Sequence, residues 1–394
     1  TAEEGKKKLI PRFATVAPNM FNSTAITTIT IPKSVTTIGK QAFYNCKSLT
    51  SVIYEEGCQI ETFGDTVFSG CTKLTTPAST LIAKTLGDGV FTSSAISGEV
   101  TIPEGITELP RNTFNGNTGV TKVILPSTLT KIGSGAFRSC TKLEEVIIPN
   151  GVTAIDGSAF HGCSALKRIV IPTSVVSLGN NMFQNCSSLE EVVFGGNEVT
   201  NYMFSGCNKL KKIELKEGVL LIGTQAFKNC SSLEEITIPS TVRNEPYANN
   251  TTQQVTGIGA SAFEGCAKLT DINLSDVLLE TIGDNAFKNC ISLNAKLPGS
   301  LTYIGAYAFY DTIIENAYIA NTVGFIGESA FQDCQSLKTI EFQPLGNGLL
   351  KIEGSAFKGC TSVTSLMLPR RLRSRTISSG SYTTAYPAIG NNAF

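Results

Sequence analysis

The amino-acid sequence predicts a repeat solenoid: a right-handed, β-rich coil with a parallel sheet on one face and short helical or irregular turns on the other. Three observations predict it. Phe68, Phe91, Phe114, Phe137, Phe160 and Phe183 stand 23 residues apart, and ten further phenylalanines extend the series from Phe21 to Phe394. Eleven of the twelve cysteines follow a repeat phenylalanine by three residues: Cys46, Cys71, Cys140, Cys163, Cys186, Cys207, Cys230, Cys266, Cys290, Cys334 and Cys360. Alternating apolar positions ending at a proline then recur between one cysteine and the next phenylalanine. A unit repeated at this period buries its apolar side only by stacking on its neighbours. The length therefore reads as one domain, with residues 1–20 as a lead-in or cap. Residues 21–394 form a single solenoid of about fifteen complete repeats and a partial last one, with insertions at 243–254 and 370–387.

The stretch from Cys140 to Cys163 shows how one unit closes. Leu143, Val146 and Ile148 point inward, and the spacing of two between Val146 and Ile148 is that of a short strand. Pro149 ends it, because proline cannot donate to a ladder. Val152 and Ile155 supply the inward contacts of a second extended stretch. Gly157 permits the turn, and Ala159 with Phe160 opens a helical or tight turn on the far side. Stacked coils of this kind place the phenylalanines in an internal column, each ring burying ~150 Å² or more.

Where cysteine is missing from its column, the same place holds Thr24, Ser94, Asn117 and Thr312. The position asks for a small buried donor that satisfies a neighbouring backbone carbonyl where the chain turns. Reduced structural thiols fit that requirement. A disulfide ladder is the alternative, since stacked strands lie ~4.8 Å apart and a disulfide spans ~4.4 to 6.8 Å between Cα atoms. Cys58 stands outside the column.

The Leu-x-x-Ile-x-Ile-Pro and Ile-Gly-x-x-Ala-Phe-x-x-Cys patterns resemble the BspA-type (Treponema pallidum type) leucine-rich repeats of bacterial surface proteins, from about Phe21 to Phe394. The resemblance implies a curved solenoid, display outside the cell as a secreted or surface protein, and adhesion to host or bacterial proteins. It supplies no catalytic residue and no cofactor. Leu74-Thr-Thr-Pro77 and Leu293-Asn-Ala-Lys296 depart from the pattern, so those rungs are expected to be irregular.

Along the outer face of the strands one column runs Lys122, Glu145, Arg168, Glu191, Lys212 and Glu235, and its neighbour Glu144, Lys167, Glu190, Lys211 and Glu234. Alternating sign lets each charge find opposite partners above and below, which argues against a strongly charged ligand there. Between the inward residues lies an aliphatic stripe of Ile124, Ile147, Val170 and Val193. It is either a protein-binding strip or the ordinary preference of a parallel ladder for β-branched residues. Beyond it the column becomes Glu214, Thr237, Asn273, Lys296, Tyr318, Glu341 and Met367. The two insertions carry the remaining candidates: Tyr247 in the first, and Arg370, Arg371 and Arg373 in the second. Insertions in repeat proteins emerge on one face, frequently the binding face, although lengthening a surface loop costs only ~0.6 kcal/mol per doubling.

Composition narrows the function. Lys+Arg and Asp+Glu are equal at 32 each, so no net field recruits nucleic acid or an anionic membrane. No apolar run reaches the ~18 residues of a membrane-spanning helix. Thr1 in place of a methionine fits a mature or trimmed chain. The only histidine, His161, sits where Arg138, Gln184 and Lys228 stand in other repeats, and is expected to face solvent. A nucleophilic triad would have to use His161, and nothing in its setting suggests orientation by a carboxylate; with one histidine and no Cys-x-x-Cys, a zinc site is equally unpromising. The expectation is a non-enzymatic protein-binding or adhesion module without cofactor, with a structural stalk as the alternative. The array stops at Phe394 in mid-repeat, which leaves open an unusual cap, a cut fragment, or pairing of ends in a dimer.

Overall fold

A computed structural model describes residues 14–75, 82–242, 257–343, 350–370, 372, 375–379, 382–386 and 388–394, the last two strands as backbone. Its contacts divide the chain into two compact units, Thr1–Pro149 and Asn150–Phe394. Each is a stack of coils in parallel register.

Among the described residues the regular coils contribute to three hydrogen-bonded stacks. The first is the longer strand predicted from the Leu-x-x-Val-x-Ile pattern. In the first unit Thr28–Ile31 pairs with Ser51–Tyr54, and Gly119–Ile124 lies between Ser97–Thr101 and Glu145–Val146. In the second unit Arg168–Ile171, Glu191–Phe194, Lys212–Leu215, Glu235–Ile236 and Asp271–Ile272 follow one another, and Asn316–Ile319 pairs separately with Thr339–Phe342. Inward residues such as Val192, Phe194, Ile213 and Leu215 are buried.

The second stack is made of two-residue strands before the glycine, for example Thr15–Val16, Thr37–Ile38, Thr62–Phe63 and Thr85–Leu86 in the first unit. Thr281–Ile282, Tyr303–Ile304, Phe325–Ile326 and Lys351–Ile352 are their counterparts in the second. Glycine recurs after these strands because the next coil is too close for a side chain. A Cβ built on Gly305 would lie 2.5 Å from the Asp284 nitrogen, and one on Gly64 2.5 Å from that of Lys40.

The third stack is the phenylalanine segment, which is a run of turns rather than a helix. The residues two before and two after each phenylalanine have positive φ, as at Asn181 (61°) and Asn185 (62°) around Phe183. A left-handed residue at every fourth position cannot continue an α-helix. Instead they turn alternate N–H groups toward the next coil: Asn181, Phe183 and Asn185 donate to the carbonyls of Asn201, Met203 and Ser205 at 2.9, 2.9 and 2.8 Å. Among the described residues the one helical element is the three-residue 3-10 turn Leu274–Asp276.

These turns hold the ring column in place. In the first unit Phe21, Phe43, Phe68, Phe91, Phe114 and Phe137 stack with centroids 5.2 to 5.6 Å apart. In the second unit the series runs from Phe160 to Phe394 with the same spacing, between 5.1 and 5.7 Å. Phe63 and Phe194 cross the columns edge-on.

All twelve cysteines are free thiols. The column works as the sequence suggests: Sγ of Cys186 donates to the Phe160 carbonyl of the preceding coil at 3.2 Å, and Cys46, Cys71, Cys140, Cys207, Cys230, Cys266, Cys290, Cys334 and Cys360 make the equivalent bond. Where cysteine is absent, Ser94 Oγ and Asn117 Nδ2 both reach the Phe91 carbonyl, at 2.9 and 2.7 Å. Of the insertions, 243–254 lies outside the described residues. The second contains an antiparallel hairpin, Arg375–Ser379 with Tyr382–Tyr386.

Candidate functional site

The parallel register decides which outward side chains meet. In the first unit Val146 lies opposite Val123, which sets Ile147 beside Ile124. Both are exposed, Ile147 to 71%. In the second unit Val170 lies opposite Val193. Val170 is 37% exposed and Val193 half-buried, and the next residue in register is Glu214, which ends the apolar strip. Arg370 is exposed. Arg371, Arg373 and Tyr247 lie outside the described residues, as do Thr76 and Pro77 of the departure at Leu74-Thr-Thr-Pro77.

The outer charge column closes on itself. Lys122 pairs with Glu99 at 3.5 Å in the first unit; in the second, Arg168 pairs with Glu191 at 3.1 Å and Lys212 with Glu235 at 3.2 Å. The neighbouring column behaves differently, since Glu190, Lys211 and Glu234 close no ion pair among the described residues. Alternation also fails at the next step, where Glu235 faces Asp271 in register. The 36-residue step from Phe227 to Phe263 places two acids together there.

Titratable groups of the coils are tuned by structure rather than chemistry. Burial pushes the thiols of Cys71, Cys140, Cys186, Cys290 and Cys360 up to about 12, and those of Cys207 and Cys266 well above the ordinary thiol value. Neutral thiols are poor nucleophiles and poor metal ligands. The Ser127 and Ser240 backbone N–H groups hold Glu104 and Glu217 below the usual carboxylate range. His161 is half-buried beside Phe160, its backbone N–H donating to the Ser158 carbonyl at 3.1 Å. Among the described residues no three His, Cys, Asp or Glu side chains gather as metal ligands.

The departure at Leu293-Asn-Ala-Lys296 has a larger consequence than local irregularity. From the inward leucine to the strand-ending proline there are six positions in Leu143 to Pro149, Leu166 to Pro172 and Leu233 to Pro239, but five in Leu293 to Pro298. One residue is missing between the leucine and the strand, and the alternation counted back from the proline is kept, Lys296 taking the outward place that Ile147 holds before Pro149. Ala295 and Leu297 turn inward while Lys296 is exposed. Among the described residues, no backbone hydrogen bond joins 294–297 to a neighbouring coil. One asparagine side chain stands in, Asn294 Oδ1 accepting from the Glu315 N–H at 3.1 Å; on the coil before, Asn273 bridges backward, its Oδ1 accepting from the Ile238 N–H at 2.6 Å while its Nδ2 donates to the Ile238 carbonyl at 3.0 Å. The sheet accordingly ends at Asp271–Ile272 and resumes at Asn316–Ile319. Beside this rung lies a cavity of about 410 Å³ lined by Ser275, Lys296, Leu297, Asn316, Tyr318 and Glu341, among others. Sequence reasoning marked the irregular rung but missed the cleft; the shortened leucine-to-proline spacing was the signal for it.

Coils of this length, with a parallel sheet, an internal ring column and a thiol ladder, define a leucine-rich-repeat scaffold. The chain belongs to the BspA type leucine-rich repeat region family, whose model matches residues 14–143, 107–200, 130–256 and 256–383. It is similar in structure to a leucine-rich repeat protein from Bacteroides ovatus, with 26% identity, a TM-score of 0.67, and coverage of 91% of this chain and 83% of that one. A leucine rich cell surface protein from Faecalibacterium prausnitzii shares 27% identity over 66% of this chain and 82% of its own, with a TM-score of 0.37. The leucine rich repeat protein of T. pallidum shares 28% identity over 50% and 77%, with a TM-score of 0.34. No match is found among curated proteins. Among the described residues no helix is long and apolar enough to cross a membrane.

Proposed function

We propose that the chain is a non-enzymatic protein-protein interaction module of a bacterial cell-surface or secreted protein, acting in adhesion. The observation that carries this reading is the exposed apolar face of the parallel sheets, where Ile147 stands beside Ile124 and Val170 beside Val193. Regular coils hold these side chains rigidly, so little ordering entropy is lost when a partner covers them. Arg370, and with it Arg371 and Arg373, adds cationic groups suited to a partner's carboxylates.

The test is capture of extracellular-matrix and bacterial-surface proteins by the folded chain. Ile147→Lys, Val170→Lys and the reversal of Arg370, Arg371 and Arg373 to glutamate serve as variants. Specific capture that falls at least tenfold in a variant with unchanged circular dichroism supports the reading; equal capture by all variants refutes the assignment of these faces. A stalk or spacer role is the second reading, favoured by the ion pairs that neutralise the outer column from rung to rung. Absence of capture by well-folded protein supports it.

A further inference from the structure

The two-residue strands before the glycine carry a small or charged residue at their outward place, as in Thr37, Thr85, Glu108, Lys131, Ala154 and Ser177. On two successive coils of the second unit that place holds aromatic rings instead. In-register pairing stacks Tyr303 on Phe325, with centroids 4.9 Å apart and planes 4° from parallel. Both rings line a cavity of about 600 Å³ together with Asp284, Ala306, Glu328 and Glu353, among others. A stacked pair has two outer faces, and the coils on either side treat them differently. Lys351, next in register after Phe325, carries its ammonium over the Phe325 ring at 5.9 Å from the centroid and pairs with the Glu353 carboxylate. On the other side Tyr303 is in register with Thr281, which brings neither ring nor charge to that face. Among the described residues no cation stands over Tyr303.

The acids beside that face are unpaired. Asp284 and Glu328 hold corresponding places on the coils before and after Ala306, whose methyl group fills little of the space between them, and both are exposed. Asp284 Oδ1 accepts from the Ala306 N–H at 2.8 Å, but neither carboxylate forms an ion pair with a described residue. Burial first, and then the charges of Asp284 and Glu353, hold the Tyr303 phenol above its ordinary value, so both acids lie within electrostatic reach of the ring. The cavity thus sets three carboxylates against the single ammonium of Lys351.

We propose that this cavity receives a lysine or arginine side chain of a partner protein, its cation held against Tyr303 between Asp284 and Glu328 as Lys351 is held against Phe325 beside Glu353. The inference rests on the protein-binding reading and gives it a second site, on a different stack of strands from the aliphatic strip. The face of an aromatic ring attracts a cation, and carboxylates at its rim add charge-assisted hydrogen bonds. Lys351 shows that the same elements hold a cation within the chain itself.

A displayed library of linear peptides, selected on the folded full chain, tests the proposal, with Tyr303→Thr and Glu328→Ala as variants. Both substitutions copy other coils, since Thr281 and Ala306 stand at the same places, and unchanged circular dichroism confirms that the coils are kept. Peptides recovered by the parent should contain a basic residue and should bind Tyr303→Thr about tenfold more weakly. Glu328→Ala should also weaken them, by a factor that shrinks as salt is raised. Exchange of the basic residue for citrulline or acetyl-lysine, which removes the charge and keeps the length, should cost about the same tenfold. Failure to recover peptides, recovery of peptides without a basic residue, or equal binding by parent and variants overturns the proposal. So does retention of a neutral oligosaccharide by the parent and not by Tyr303→Thr, since the ring then serves a sugar. Matrix capture that persists when no peptide is recovered leaves the adhesion reading standing and removes this site alone.

Discussion

At the scale of single residues, the cysteine column shows how a repeat protein reuses one solution. Each coil reverses direction after its phenylalanine, and the carbonyl exposed at that reversal is met by a donor from the following coil. A thiol fits because it is small, apolar enough for a dry interior and able to donate weakly. Its cost appears at high pH. The folded-state values of Cys186 and Cys140 are raised to about 12 from an ordinary 9.0. Their stabilisation is therefore complete below about pH 9 and is lost as pH rises through that window, because the unfolded chain ionises first. At ~1.4 kcal/mol per pKa unit, each thiol contributes several kcal/mol to alkaline unfolding. We expect the melting temperature to fall steeply as pH rises from about 9 towards 12. A variant with Cys186→Ser, Cys207→Ser and Cys230→Ser should show a shallower fall, since Ser94 already occupies the same position without an ionisable group.

At the scale of the element, register is what turns a list of side chains into a face. The ion pairs of Arg168 with Glu191 and of Lys212 with Glu235 exist because parallel strands stack without offset. The same register sets Glu235 against Asp271, an opposition of like charges. Asp271→Lys restores the alternation and is expected to raise stability by ~0.2 to 1 kcal/mol, read from the denaturant midpoint and reduced at high salt. The missing residue before Lys296 is the converse case, where loss of register removes a whole strand from the sheet. That coil is nevertheless kept in the stack, since Phe287 remains between Phe263 and Phe309.

At the scale of the molecule, each coil touches its neighbours and little else, so cohesion is a sum of nearest-neighbour terms. Among the described residues the rings stack in both units, and no globular core gathers residues from distant repeats. Guanidinium unfolding is therefore expected to be broader than a two-state transition of 394 residues, with an apparent m-value well below the one its buried surface demands. Coincident sharp transitions by circular dichroism and tyrosine fluorescence would contradict this.

The sequence by itself determined the period, the inward positions, the thiol column and the family, because those features repeat and each copy corroborates the others. Leu143, Val146 and Ile148 are buried as their spacing requires, and Thr24, Ser94, Asn117 and Thr312 donate where cysteine is absent. The pairing of Ile147 with Ile124, and of Val170 with Val193, was likewise legible, since in-register stacking follows from equal repeat lengths. Only the tertiary structure decided what happens where the repeat breaks. Of the helical or tight turn expected after each glycine it chose the tight turn, with left-handed residues flanking each repeat phenylalanine, because alternate N–H groups must reach the next coil rather than their own. It set Glu235 against Asp271, and it opened a cleft above Lys296. A periodic pattern fixes the average coil; a single departure is resolved by whichever neighbouring contacts survive it, and those are formed in three dimensions.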